Sequence, residues 1–157
     1  MTLAEIVREK LAEAPCHTGR HDLGMSGAGW SLTLSLDRHD ELGCLIWELA
    51  LGRTTPAPAG ETLRSWAERV SRQATGLLEP LAVLEIDELG NEALLRSNSP
   101  SRRKDMLAYY ELLLRGTSSA LLRRFQSAAD GTSGKRAQAA FALTRDALAK
   151  LADDLTS

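Results

Sequence analysis

The sequence predicts an α+β fold: an antiparallel sheet, made of an N-terminal hairpin plus a C-terminal meander, covered by about three helices. Two observations lead to this class. Residues 81–125 consist of short apolar runs separated by the turn signals Glu88–Asn91, Ser97–Pro100 and Arg115–Thr117, which is the pattern of a strand meander. Three other segments place apolar residues at helical spacing. A length of 157 residues fits a single domain, 1–157.

Three segments are predicted to be helical, namely 2–14, 61–78 and 144–156. Thr2 and Glu5 form the T-x-x-E pattern of a capping box, in which each side chain satisfies a free backbone donor of the first turn. Pro80 ends the second apolar stripe. Thr144 is a good N-cap for the last helix, with Asp146 in the first turn.

A β-hairpin is predicted between the first two helices. Residues 30–36 alternate apolar and polar side chains, which is typical of a strand with one face in water. Residues 44–51 are predicted to be the returning strand, and its side chains on one side would be Leu45, Trp47, Leu49 and Leu51. Residues 16–28 contain three glycines and are predicted to be a loop, and 37–41 a polar turn.

The second half of the meander, 100–128, also fits helices. Ser99 and Pro100 could be the N-cap and the first residue of a helix. The apolar stripe of that helix would consist of Met106, Leu107, Tyr110, Leu113 and Leu114. A second helix could begin at Thr117. We favour strands, because a glycine turn between two short apolar runs is typical of a hairpin. Residues 127–134 are predicted to be a flexible loop, and 137–143 either a last strand or the start of a helix.

Charge is distributed unevenly along the chain. Residues 1–95 carry 8 basic and 15 acidic side chains, whereas residues 96–136 carry 9 basic and 3 acidic ones. Cations with interspersed aromatic rings are typical of surfaces that hold single-stranded nucleic acid. The alternative functional hypothesis is therefore a nucleic-acid-binding accessory protein that uses Arg102, Arg103, Lys104, Arg123, Arg124, Lys135 and Arg136. The net charge of −2 and the absence of an RNP-type motif argue against it.

A possible metal-binding group contains all the histidines and cysteines of the chain, namely Cys16, His17, His21, His39 and Cys44. Their residue types suit zinc, but the C-x4-H and H-x4-C spacing is not that of a zinc knuckle. Cys44 opens a strand and is expected to be a small core residue. We therefore expect no metal and no other cofactor.

No catalytic arrangement is evident in the sequence. Ser26 lies between glycines but precedes a strand, whereas a nucleophile elbow follows one. Glu85 and Asp87 share one strand face, and with Glu88 and Glu92 they are expected to form a solvated acidic cluster. We therefore expect a protein that is not an enzyme.

The location is expected to be cytoplasmic. No apolar run approaches the roughly 20 residues that span a membrane, so no membrane partner is expected. The N-terminal residues form a charged helical pattern without the apolar core of a signal peptide. The two cysteines are too few for a disulfide scaffold.

The order helix, hairpin, helix loosely resembles type III secretion chaperones, through the hairpin segments Leu36-Asp37 and Leu42-Gly43. This resemblance covers less than a third of the chain. The four apolar runs after the second helix exceed that fold. The resemblance assigns no role to any residue of this chain.

The function expected from the sequence is that of an adaptor-like or chaperone-like interaction subunit. Residues 106–114 and 119–125 are apolar on both faces, so the strands that they form need a second cover. Another protein, or a second copy of the chain, would supply this cover at a sheet face or edge. The residues predicted to bind this partner are Tyr109, Tyr110, Phe125, Arg115, Arg123 and Arg124.

Overall fold

The computed structural model describes residues 1–129 and 134–157, and within them it confirms the predicted α+β class. The helices are α1 (Leu3–Glu13), α2 (Leu63–Gln73) and α3 (Arg145–Thr156). The strands are β1 (His17–Gly27), β2 (Trp30–Asp40), β3 (Gly43–Arg53), β4 (Leu81–Asp87), β5 (Glu92–Ser97), β6 (Ser101–Arg103), β7 (Met106–Arg115), β8 (Ser119–Ala128), β9 (Arg136–Ala139) and β10 (Phe141–Leu143).

All the strand pairs are antiparallel and belong to one sheet, whose main order is β1-β2-β3-β8-β7-β5-β4. The neighbouring strands β3 and β8 pair only between Leu49–Gly52 and Ser119–Leu122. Beyond that point β8 pairs with β9 and β3 pairs with β10. The segment 137–143, which was predicted as strand or helix, therefore forms most of two strands that fill the gap between β3 and β8.

The helix starts are close to those predicted. Thr2 and Glu5 form both hydrogen bonds of the capping box, and Thr144 caps α3 by accepting from the backbone N–H of Ala147. The second helix ends at Gln73, five residues earlier than predicted, because Ala74 already leaves the helical conformation at ψ 76°. Gly76 follows, and glycine has a low helix propensity.

The predicted loop 16–28 is wrong, because most of it forms β1. This strand pairs with β2 from His17 to Gly27. Gly19 has a φ of 101° and lies at the irregularity of this pairing, where glycine is favoured. Leu23 and Met25 lie opposite buried leucines of β2 and pack against the core. Pairing with β2, rather than any local preference, explains why the segment is extended.

A β-bulge changes which side chains of β3 face the core. Leu36 lies opposite Ile46 and Ser35 opposite Glu48, so Trp47 is an extra residue in β3. The predicted common face of Leu45, Trp47, Leu49 and Leu51 is therefore wrong: Leu49 and Leu51 are buried with Cys44 and Ile46, while Leu45 and Trp47 are half-buried. The turn predicted at 37–41 is also shorter, since β2 continues to Asp40.

The meander is confirmed as strands, and the helical alternative for 100–128 is wrong. Four of its strands, β4, β5, β7 and β8, are the predicted ones, and the short β6 is an additional strand. Of the predicted loop 127–134, the first two residues belong to β8, and residues 130–133 lie outside the described part of the chain.

The core lies between the helices and one face of the sheet. Leu34, Leu49, Leu122, Leu112 and Leu95 are fully buried side chains from five successive strands that contribute to it. The helices contribute Leu3, Val7, Leu11, Leu63, Trp66, Val70, Leu148, Leu151 and Leu155. Helix α3 packs against α1, with an Asp153 carboxylate oxygen accepting from the backbone N–H of Ala4 at 2.9 Å. None of the described helices is long and apolar enough to cross a membrane.

Candidate interaction surface

Four aliphatic side chains form a row across the sheet face that points away from the helices. The cross-strand register places Ala50 opposite Leu121, Leu121 opposite Leu113, and Leu113 opposite Leu94. All four are half-buried, whereas the residues that alternate with them along the strands are buried in the core. We call these four residues the aliphatic row. A shallow depression of about 210 Å³ runs along part of it.

Ion pairs border the aliphatic row on both sides. On one side, Arg115 Nε lies 3.1 Å from a Glu92 carboxylate oxygen, and on the other Arg96 Nη2 lies 2.6 Å from Glu111. Arg136 also donates to Glu111. Burial alone would raise the pKa of Glu111, but hydrogen bonds from the two arginines hold it below its usual range. Glu111 is therefore ionised at neutral pH.

Beyond the second ion pair, arginines stack on two aromatic rings. The rings of Tyr109 and Phe125 lie 6.2 Å apart. The Arg136 guanidinium carbon is 3.8 Å from the Phe125 ring centroid, and that of Arg96 is 5.2 Å from the Tyr109 centroid. Arg123 also approaches Phe125, and within the described chain its buried Nε finds no hydrogen-bond partner.

Two of the six residues predicted to bind a partner lie on the other face. Tyr110 is fully buried among the core residues, and Arg124 is buried in an ion pair with Glu79. Successive residues of a strand point to opposite faces, so Tyr109 and Arg123 cannot share a face with their immediate neighbours. In this conformation Tyr110 and Arg124 belong to the core, whereas Tyr109, Phe125, Arg115 and Arg123 share the face of the aliphatic row.

Glu79 was not predicted as a site residue from the sequence, and it is the centre of a buried polar network. Its carboxylate accepts two hydrogen bonds from Arg124 at 3.0 Å, one from Ser97 at 2.8 Å and one from Ser101 at 2.6 Å. Burial would raise the pKa of Glu79, but these hydrogen bonds keep it below its usual value. The network joins the segment after α2 to β5, β6 and β8.

The basic residues proposed to bind nucleic acid do not form one surface. The exposed ones are Arg102, Arg103, Lys104, Lys135 and Arg136. Arg124 and Arg136 bind Glu79 and Glu111, and Arg123 lies against an aromatic ring. Ion pairs therefore neutralise much of the positive charge of segment 96–136.

Pairing of β1, β2 and β3 brings some of the cysteines and histidines together. His39 lies between His17 on β1 and Cys44 on β3, and the rings of His17 and His21 stack at 4.1 Å. Cys16 is exposed and Cys44 is buried, and burial raises the pKa of the Cys44 thiol to about 11. Within residues 1–129 and 134–157, no group of three or more His, Cys, Asp or Glu is arranged to hold a metal ion.

The buried side chain of His39 is expected to make the fold less stable in mild acid. Its side chain is 1% exposed, and burial, reinforced by Arg145 at 3.3 Å, lowers its pKa from the ordinary value of 6.5. The unfolded chain therefore binds this proton more readily, and stability falls as the pH drops below about 6.5. We expect the melting temperature to fall between pH 7 and pH 5, and to fall less in His39→Gln.

The matched control is His21→Gln, which makes the same substitution at a half-buried histidine of the neighbouring strand β1. Thermal unfolding followed by circular dichroism at several pH values measures both variants. An equal pH dependence in wild type and His39→Gln would contradict the assignment to His39.

Comparisons with protein-family models, with curated proteins and with solved structures find no significant match to this chain. No residue role can be carried over from a relative. Any statement about function therefore rests on the chain's own residues.

Proposed function

We propose that this chain is a non-enzymatic interaction subunit, adaptor-like or chaperone-like, that binds a protein partner through the aliphatic row and the side chains around it. The observation that carries the proposal is the position of this row. It lies half-exposed on a sheet whose other face already packs on the helices. Removing apolar surface from water contributes about 25 cal/mol of favourable free energy per Å². A contiguous apolar patch bordered by polar groups is typical of a protein-binding surface.

The composition around the row also supports a protein partner. Interfaces typically have an apolar centre and a polar rim, and they are enriched in tyrosine and arginine. Here the centre is aliphatic, and the surrounding side chains are Arg96, Arg115, Arg123, Arg136, Tyr109, Glu92 and Glu111. The arginines are already held by carboxylates or aromatic rings, so little side-chain entropy remains to be lost on binding.

The protonation states of the buried groups support a role without catalysis. A general acid or base works best with a pKa near the working pH. Against the effect of burial, arginine hydrogen bonds hold the pKa values of Glu61, Glu79 and Glu111 below their usual range. The pKa of His39 is also lowered, and that of the Cys44 thiol is raised to about 11. Each of these shifts moves the pKa of the group away from pH 7.

Nucleic-acid binding remains the alternative, and the exposed run Arg102, Arg103 and Lys104 is the observation that favours it. This run lies at the β6–β7 turn, where Lys104 has a φ of 56°. Three cations give a small electrostatic footprint, and the aromatic rings Tyr109 and Phe125 are already stacked with other arginines. A protein partner is therefore the better-supported proposal.

Site-specific photo-crosslinking in cells of the source organism tests the proposal. We expect a photoreactive amino acid at Leu121 or Leu94 to yield discrete protein adducts, because both side chains would be buried against the partner. The control position is Leu42, an exposed leucine of the β2–β3 turn that lies far along β3 from Ala50. Equal labelling at Leu121, Leu94 and Leu42, or no adduct at either row leucine, would contradict a specific interface on the row.

A further inference from the structure

The strands β5 and β7 carry the same five-residue pattern, E-x-L-x-R. It occurs at Glu92–Arg96 and again at Glu111–Arg115. Alternate residues of a strand point to one face, so in each strand a carboxylate and a guanidinium flank a leucine of the aliphatic row. The two strands are antiparallel, and the glutamate of each therefore lies beside the arginine of the other, which accounts for the two observed ion pairs.

This arrangement of charges is self-complementary about the aliphatic row. Consider a second copy of the chain that is rotated by 180° about a line along the row. Its sheet face then lies against the same face of the first copy, with the two sides of the row exchanged. Position 92 of one copy then faces position 96 of the other, and position 111 faces position 115. Every one of these contacts joins a glutamate to an arginine, while Leu94, Leu113 and Leu121 each meet their own counterpart on the axis.

The third strand of the row fits the same operation. On β8, Ser119 and Arg123 lie on either side of Leu121 on the same face. The rotation places Ser119 of the copy over Arg123, whose buried Nε has no hydrogen-bond partner among the described residues. A serine hydroxyl can accept a hydrogen bond from a guanidinium.

From these three strands we propose that the partner of this surface is a second copy of the chain, packed face to face about a two-fold axis along the aliphatic row. The inference rests on the proposed function, since it names the occupant of that surface. The same patch is used on both subunits, as in most two-fold dimers. If the two sheets pack at the usual spacing of about 10 Å, the leucines are enclosed between the sheets, and the helices lie on the outer side of each sheet.

The first test is the mass of the purified wild-type chain by size-exclusion chromatography with light scattering. We expect twice the 17.0 kDa of one chain at micromolar concentrations. Leu113→Glu places a carboxylate on the axis against its own copy and is expected to weaken dimerisation at least a hundredfold. The matched control Leu42→Glu makes the same substitution at an exposed leucine of the β2–β3 turn, far along β3 from Ala50 and the axis, and should remain dimeric.

The second test uses charge variants that cannot pair with themselves. In Glu92→Arg, positions 92 and 96 are both arginine, so the two contacts between position 92 of one copy and position 96 of the other become repulsive. In Arg96→Glu both positions are glutamate, with the same result. We expect each variant alone to be monomeric and an equimolar mixture to form a heterodimer, because every arginine then faces a glutamate again. Circular dichroism establishes that each variant is folded, and a monomeric wild-type chain overturns the proposal whether or not the variants fold.

The outcomes separate this inference from the proposed function. A monomeric wild-type chain at 100 µM overturns the second-copy proposal, as does a dimer that Leu113→Glu and both charge variants leave intact. Crosslinks from Leu121 to a different protein, found together with a monomeric chain, would leave the interaction subunit standing with another partner. A monomer that also gives no crosslinks removes both proposals.

Discussion

Glu79→Gln is expected to lower the free energy of unfolding by about 3–5 kcal/mol, which is the cost of breaking a buried ion pair on one side only. The glutamate and arginine side chains of this pair are only 4% and 8% exposed. Glutamine would leave the Arg124 guanidinium buried without a counter-charge. It would also weaken the hydrogen bonds from Ser97 and Ser101. Urea denaturation of wild type and variant measures the difference.

Two further variants make this prediction specific. Glu92→Gln breaks a pair whose side chains are 44% and 66% exposed, and it should cost about 0–1 kcal/mol. The double variant Glu79→Leu with Arg124→Met should recover much of the loss, because apolar residues of similar size often replace a buried pair at little cost. A cost for Glu79→Gln no larger than that for Glu92→Gln would show that the network adds little to stability.

Trp66→Ala is expected to destabilise the fold by a similar amount, about 3–5 kcal/mol. The Trp66 side chain has no exposed surface, and its ring centroid lies 5.7 Å from that of Trp30. Its indole N–H donates to the carbonyl oxygen of Leu155 at 3.0 Å, which ties α2 to the end of α3. Alanine would leave a cavity between these helices and an unpaired carbonyl.

The control for this prediction is Trp47→Ala, which removes an equally large side chain from the half-buried bulge in β3. The Trp47 ring contacts the Arg20 guanidinium at 4.2 Å, so about 1 kcal/mol of stability should be lost there. Circular dichroism is the suitable probe, since both variants remove a fluorophore. Equal losses in the two variants would mean that Trp66 does not have the central packing role given to it here.

The parts of the fold that the sequence could predict are those with local signals. Thr2 and Thr144 start helices through contacts with residues three positions away, and the turns of the meander depend on their own glycine, asparagine and proline residues. The extended conformation of β1 has no such signal, because it arises from pairing with β2. The bulge at Trp47 is similar, since only the register of two strands reveals the extra residue.

The residues of the candidate interaction surface were predicted only in part, because local signals do not show which face of a strand a side chain occupies. In β7 and β8 apolar residues occupy both faces, so periodicity could not separate Tyr109 from Tyr110 or Arg123 from Arg124. The leucines of the aliphatic row lacked any polar contrast with their neighbours and were not singled out. One signal was nevertheless present in the sequence: the repeated E-x-L-x-R pattern marks the outward face of β5 and β7.

The packing of α1 on α3 also governs the order in which the chain can fold on the ribosome. Helix α1 is synthesised before α3, the helix that covers it, and the Asp153 carboxylate that binds Ala4 is made 149 residues later. Until β9 and β10 emerge, the edges of β3 and β8 beyond Leu49 and Leu122 also lack their neighbours. Contacts so distant in sequence form slowly, and open strand edges invite aggregation. The nascent chain therefore stays vulnerable until α3 has left the exit tunnel.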